Sequence, residues 1–174
     1  MARVTDHTRT SIWQDYTDAE RYLRYYISLA DKYRTRHNVV RSLLLGAILV
    51  EASIVIPFMS SIPQPLGTVA TVVVGLMIIA LTVFDATSND AKNSAKLTVA
   101  SEDCALLHIE WRSLWLDIET DNVEEHEARK RQRELLDRMN VVAARVELNQ
   151  DEKRNVRSAA EANEVMGGRY AETS

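Results

Sequence analysis

Two apolar runs, Ser42 to Ile62 and Leu66 to Phe84, constrain this chain more than any other feature. The first carries a single charge, Glu51, and the second carries none. Each is about 20 residues long, and at about 1.5 Å of rise per residue that length matches the roughly 30 Å hydrocarbon layer of a bilayer. Between them, Ser60-Ser61-Ile62-Pro63-Gln64-Pro65 supplies two prolines that resist helix continuation. The pattern predicts a transmembrane helical hairpin, with spans over about residues 39–62 and 66–85. The competing reading, a buried hairpin in a soluble bundle, asks two helices to stay apolar on every face for a length that soluble cores seldom use.

Average composition hides this segregation. A quarter of the chain, 26%, is charged, yet almost none of that charge falls within residues 42–84. The 174 residues leave room for one helical assembly and no second globular domain. The expected layout is a single unit: an N-terminal cytoplasmic helix over 1–41, the hairpin over 42–84, a cytoplasmic helical hairpin over 85–166 and a disordered tail over 167–174. One cysteine, Cys104, excludes an internal disulfide framework and fits a reducing compartment. A signal peptide is not expected, because the first 38 residues are polar and aromatic.

Basic residues set the expected orientation. Lys32, Arg34, Arg36 and Arg41 crowd the entry to the first span, Lys92 and Lys96 follow the second, and the connecting turn has none. Both termini therefore belong on the cytoplasmic side of a bacterial inner membrane. Arg34, Arg36 and Arg41 can also contact anionic lipid headgroups, each worth about 1 kcal/mol near the surface. Nucleic-acid binding is not indicated, since the chain after the hairpin is net acidic.

The flanking segments read as long helices. Ile12, Tyr16, Ala19, Leu23, Tyr26, Ala30 and Tyr33 step by three and four, the seam of a packed helix over about 10–38, with Asp6 or Thr10 as its cap. Nothing between Ser11 and Arg41 breaks a helix, so the segment can run directly into the first span. Leu97, Ala100, Cys104, Leu107, Trp111, Leu114 and Ile118 form a second seam over about 88–119, widened by Trp115. A turn at Glu119 to Asn122 ends that helix, and Asp121 or Asn122 caps a charged helix over about 123–160, its seam at Leu135, Met139, Val142 and Val146. Gly167-Gly168 is expected to end it. The fold class is all-α. Trp111, Leu114 and Trp115, with Leu23 and Tyr26 opposite, are the expected packing seam of an oligomer.

The chemistry inventory is thin. Cys104 and His108 lie four apart on one helix, a spacing that suits a metal, but Cys104 sits where a small core residue is expected. His126 belongs to a charged surface among Glu124, Glu125 and Glu127, and His37 to the basic stretch before the first span. A Gly-rich phosphate loop, a nucleophile elbow and a distinctive carboxylate pair are all missing, so neither catalysis nor a cofactor is expected.

Glu51 resists a bland reading. It lies about ten residues beyond Arg41, roughly 15 Å deep, where an ionised acid costs on the order of 2.5–3.5 kcal/mol. One reading is a ring of Glu51 side chains lining an oligomeric cation path. The other is a protonated carboxyl that hydrogen-bonds a neighbouring helix and holds subunits together. Folding the hairpin at Pro63 sets Glu51 opposite Gly75 or Leu76, on a small-residue stripe of Gly67, Thr71 and Gly75 that permits close helix approach.

The order of features resembles the SLATT family, two-transmembrane effector domains named for association with SMODS and SLOG proteins. An aromatic helix with Trp13, Tyr16 and Tyr26 leads through Lys32-Tyr33-Arg34 into the hairpin. A polar helix then develops into Leu107-His108-Ile109-Glu110-Trp111-Arg112-Ser113-Leu114-Trp115, and a charged helical hairpin completes the layout, over roughly residues 10–160. The resemblance implies a bacterial anti-phage or conflict-system effector that permeabilises the inner membrane when triggered by a partner that senses or makes a nucleotide signal. The alternative is a non-conducting membrane scaffold or accessory subunit that recruits a cytoplasmic partner.

Overall fold

A computed structural model describes residues 4–58, 64–146 and 151–173, with side chains throughout except at 51, 52, 54–58, 64–68, 70 and 169–173. The described residues form five α-helices and no strand: α1 Asp6–Phe58, α2 Gln64–Thr87, α3 Asp90–Glu119, α4 Glu125–Arg145 and α5 Glu152–Thr173. They divide into two compact units. The first comprises Met1–Ala30 and Ala95–Ser174, and the second Asp31–Ser94, so α1 contributes to both.

The first unit is a helical bundle built around the N-terminal part of α1. Thr5 caps α1, its hydroxyl accepting from the Thr8 N–H at 3.4 Å. Neither Asp6 nor Thr10 takes that role: Asp6 is the first helical residue, and the Thr10 hydroxyl donates back to the Asp6 carbonyl. The α1 seam is buried at Ile12, Tyr16, Ala19, Tyr26 and Ala30, and burial extends to Tyr25 and Leu29. Against it lies α3, antiparallel, with its own seam sealed at Leu97, Ala100, Cys104, Leu107, Trp111, Leu114 and Ile118. Trp13 and Trp115 meet with ring centroids 4.7 Å apart. The Trp111 indole N–H donates to the Met139 sulfur at 3.3 Å, which joins α4 to the same core.

Two residues in the left-handed region punctuate the chain, Asn89 (φ 49°) between α2 and α3 and Asp121 (φ 51°) after α3. Short polar side chains tolerate that conformation better than most. After Asp121 the N-cap of α4 is Glu124, in extended conformation and without a side-chain cap bond, so neither Asp121 nor Asn122 caps α4.

A single helix over 123–160 is not what forms. Helix α4 stops at Arg145, and a separate α5 begins at Glu152, capped by the Asp151 carboxylate, which accepts from the Arg154 N–H at 3.3 Å. The apolar pattern fades after Leu148 because α5 buries small and mixed residues, Ser158, Ala162 and Met166. Polar bonds make up the rest of its attachment to α1: Arg21 donates twice to Asn155, Arg154 donates to Ser28, and the Asp151 N–H donates to the Tyr25 hydroxyl at 3.0 Å. Gly167-Gly168 does not end α5, and the segment expected to be a disordered tail lies largely within it. A Cβ at either glycine would meet open space, so they are surface positions in a continuing helix.

Antiparallel α3 and α4 are laced by three ion pairs at seven-residue intervals: Asp103–Arg145, Glu110–Arg138 and Asp117–Arg131. Among the described residues one helical run, within Thr71–Glu119, is long and apolar enough to cross a membrane, and none of its apolar window is buried.

Because Trp111 is fully buried and hydrogen-bonded, Trp111→Ala should cost about 3–5 kcal/mol. Denaturant unfolding followed by far-UV circular dichroism measures it, and a loss below about 1 kcal/mol would contradict the packing described.

Candidate functional site

Glu20 is the acidic group buried in the first unit, with its side chain only 6% exposed. It lies on the α1 face that meets α3, one turn after Tyr16, where a carboxylate must find partners or lose its charge. It finds two. The His108 Nε2–H donates at 2.8 Å, and the Arg24 guanidinium, one turn along α1, lies 2.7 Å from the other carboxylate oxygen. The Tyr16 ring covers His108 with centroids 5.1 Å apart. The hydrogen bond from His108, reinforced by Arg24 and opposed by burial, pulls the Glu20 carboxyl down to about 2. Arg24 also approaches Glu161 of α5 at 3.9 Å, so one row of charges joins α3, α1 and α5.

Beside this row is a cleft of about 180 Å³ between α1, α3 and α4, lined in part by Asp15, Asp18, Tyr22, Tyr26, Cys104 and Asn140. It is smaller than the roughly 300–1,000 Å³ of most ligand pockets. Burial holds the Asp15 carboxyl above its ordinary range against the lowering effect of a hydrogen bond from Gln132. Burial also pushes the Cys104 thiol and the Tyr26 phenol up to about 12 each. A thiol so raised is a poor nucleophile and a poor metal ligand. The Cys104–His108 spacing therefore serves packing at one position and the Glu20 bond at the other. Among the described residues no group of three or more His, Cys, Asp or Glu is placed to hold a metal.

A polar clasp closes the bundle end. Glu125 accepts from the Thr5 N–H at 2.7 Å and from the hydroxyls of Thr5 and Thr8, while Arg129 bridges Glu125 and Thr8. These bonds, the Thr5 N–H first, draw the Glu125 carboxyl down to about 2. The Arg9 guanidinium donates to the Ile118 carbonyl at the end of α3.

In the second unit the basic entry to the first apolar run meets acids from the far end of the second. Arg36 Nε lies 3.2 Å from the buried Asp90 carboxylate and stacks over Phe84 at 4.9 Å, and His37 Nδ1 lies 3.1 Å from Asp85. The Asp85 and Asp90 oxygens involved are buried without a well-aligned hydrogen bond, so these contacts are electrostatic more than directional. Arg34 and Arg41 are exposed.

The sequence candidates fall in different places. Trp111, Leu114, Trp115 and Tyr26 are buried and Leu23 half-buried within one chain, so the packing at this seam is intramolecular. The Glu51 side chain and that of Gly67 lie outside the described residues. Thr71 is half-buried. A Cβ at Gly75 would meet no atom within 4 Å, so no described element of the chain makes the close approach expected there. Missed by the sequence were Glu20, which looks like an ordinary surface acid between Ala19 and Arg21, and the Thr5–Glu125 clasp. A pairing 88 or 120 residues apart leaves no local signal. Compared with family models, curated proteins and solved structures, the chain matches none.

The lowered Glu20 carboxyl gives a pH dependence with a definite sign. A carboxylate held near 2 when folded and near 4.5 when unfolded contributes stability that is full above about 4.5 and lost as pH falls toward 2. Unfolding free energy should therefore drop between pH 5 and 2 more steeply in the wild type than in Glu20→Gln. Parallel curves for the two would remove Glu20 from the account.

Proposed function

We propose that the chain is a two-span membrane protein, with a hairpin of the α1 C-terminal half and α2 in the bilayer and the helical bundle in the cytoplasm. The observation that carries this reading is the surface of the second unit. Leu49 is 65% exposed, Leu76 61% and Ile79 60%, and Leu43, Leu45, Val69, Val72, Val73 and Val83 are each more than half exposed. Monomeric soluble proteins rarely leave contiguous apolar patches beyond a few hundred Å² in water. Hydrocarbon is the solvent such a surface fits, and both segments are of spanning length. The Arg36–Asp90 and His37–Asp85 contacts suit the edge of that layer, where apolar surface gives way to charge.

On this reading the protein is an effector of a bacterial anti-phage or conflict system, which oligomerises and permeabilises the inner membrane in response to a nucleotide-signalling partner. The support for that step is the resemblance in layout together with the acid at Glu51. Its rival, a non-conducting anchor that recruits a partner, shares the topology and differs in effect on the cell.

Two measurements test the reading. A cysteine introduced at Gln64 should react with an impermeant thiol reagent added to intact spheroplasts, whereas one at Thr10 should react only after lysis. The reverse pattern, or recovery of the protein in the soluble fraction, rejects the topology. Expression should collapse membrane potential as read by a voltage-sensitive dye, and Glu51→Gln should change that response while oligomer mass stays the same. Unchanged potential on expression with the partner present favours the anchor.

A further inference from the structure

The cleft between α1, α3 and α4 is lined by hydrogen-bond acceptors and, among the described residues, by no cation. Helix α1 gives it Asp15, Asp18, Tyr22 and Tyr26, which step by three, four and four residues and so share one helical face. The two acids sit one turn apart and repel. Burial raises the Asp15 carboxyl, the Gln132 hydrogen bond opposes the rise, and the charge of Asp18 adds to it.

Three acceptors in this wall are unspent. Asp15 takes the Gln132 amide on Oδ2 at 2.6 Å, and its Oδ1 accepts from no described residue. Asp18 is held by Arg21, but loosely, at 3.5 Å, because that guanidinium gives its Nε and Nη2 to Asn155. Tyr26 decides the matter. It is only 6% exposed, yet its hydroxyl bonds to no described residue and is not sealed off, so it opens onto the cleft. A buried hydroxyl in that state forgoes free energy that a bound donor would restore.

The dimensions narrow the ligand. At about 180 Å³ the cleft is too small for a nucleotide and suits the end of a chain. Helix α4 adds Leu136 and Met139, apolar side chains that suit methylenes, and the Tyr22 ring, 39% exposed, offers surface to a cation. A hard divalent ion needs a shell of oxygens, and no three described His, Cys, Asp or Glu side chains are placed to hold one. An alkylammonium carries three N–H donors on a compact head with an apolar stem.

We propose that this cleft binds a primary alkylammonium group, its N–H donors directed to Asp15, Asp18 and Tyr26 and its methylene stem along Leu136 and Met139. The cleft lies wholly within the first unit, so the site stands apart from the membrane reading. Two sources carry this chemistry, a free aliphatic diamine and the lysine side chain of a partner protein.

The full-length chain in neutral detergent, at neutral pH and about 0.15 M salt, is titrated by calorimetry with diaminobutane, with its uncharged analogue butanediol and with magnesium chloride. The diamine should bind with a dissociation constant below about 1 mM, and the diol should not bind. Asp15→Asn, which keeps an acceptor for Gln132, should weaken diamine binding at least about tenfold, and Tyr26→Phe about fivefold. Glu102→Gln removes an exposed acid outside the cleft and should change nothing. If Asp15→Asn does not fold, Asp18→Asn, at a side chain 54% exposed, carries the same expectation. No diamine binding, equal binding of the diol, or wild-type affinity in the Asp15 and Tyr26 variants would overturn the site. Tighter binding of magnesium than of the diamine, lost in Asp15→Asn, would overturn it in favour of a metal. N-acetyl-lysine amide separates the sources: tighter binding than the diamine points to a partner's side chain, weaker binding to the free amine, and either result upholds the site.

Discussion

A carboxylate sealed among helices must be paired, and at Glu20 that requirement fixes how α1 lies on α3. His108 reaches Glu20 only in one register, with Tyr16 one turn earlier on the same face to cover the imidazole. Shifting α1 by a residue would rotate Glu20 by about 100° out of the seam and leave the imidazole without its partner. Breaking a buried pair from one side costs more than never having made it. The apolar seams alone would tolerate several alignments, since Ile12, Ala19 and Ala30 make no directional demand. The charged row supplies the demand, and through the approach of Arg24 to Glu161 it reaches α5 as well.

Much of the helical layout was legible because the two signals that announce it are local. Alternating three- and four-residue steps marked the α1 and α3 seams; the α3 seam is buried at every position named, and the α1 seam at all but Leu23 and Tyr33, which are half-buried. The α1 helix runs unbroken to Phe58, as the absence of any breaker before Arg41 suggested. What failed to show was structure with no periodic apolar face. Helix α5 attaches through Asn155, Arg154 and Ser158, and such a face reads as surface in one dimension. Gly167-Gly168 misled for a related reason: glycine ends a helix when the chain needs a left-handed residue, and here no positive φ is found at a described glycine.

The seam around Trp111 carries a different lesson. Large aromatic area on a helix says that something will cover it, not what. Here Trp13, Met139 and α1 do so within one chain. A weaker stripe on the outer side of α3, Val99, Leu106, Ile109 and Leu116, interrupted by Glu102 and Ser113, drew no notice beside it. Yet it is the one left bare. Strength of pattern measures the need for burial, and only the folded arrangement shows which need is still unmet.

The three arginines of α4 each contribute little to stability, since pairs this exposed are worth about 0–1 kcal/mol. Their spacing matters more than their strength. Were α4 to slide one turn along α3 in one direction, Glu110 would come to face Glu134 and Asp117 would face Glu127, acid against acid at both positions. The correct alignment is a charge match at three rungs, and its neighbour is a mismatch at two of them. Helix α4 thus has a keyed edge: a one-turn slip in that direction trades three matched rungs for two clashes, so its seating on α3 is set by where its charges fall and not by how strongly each one binds.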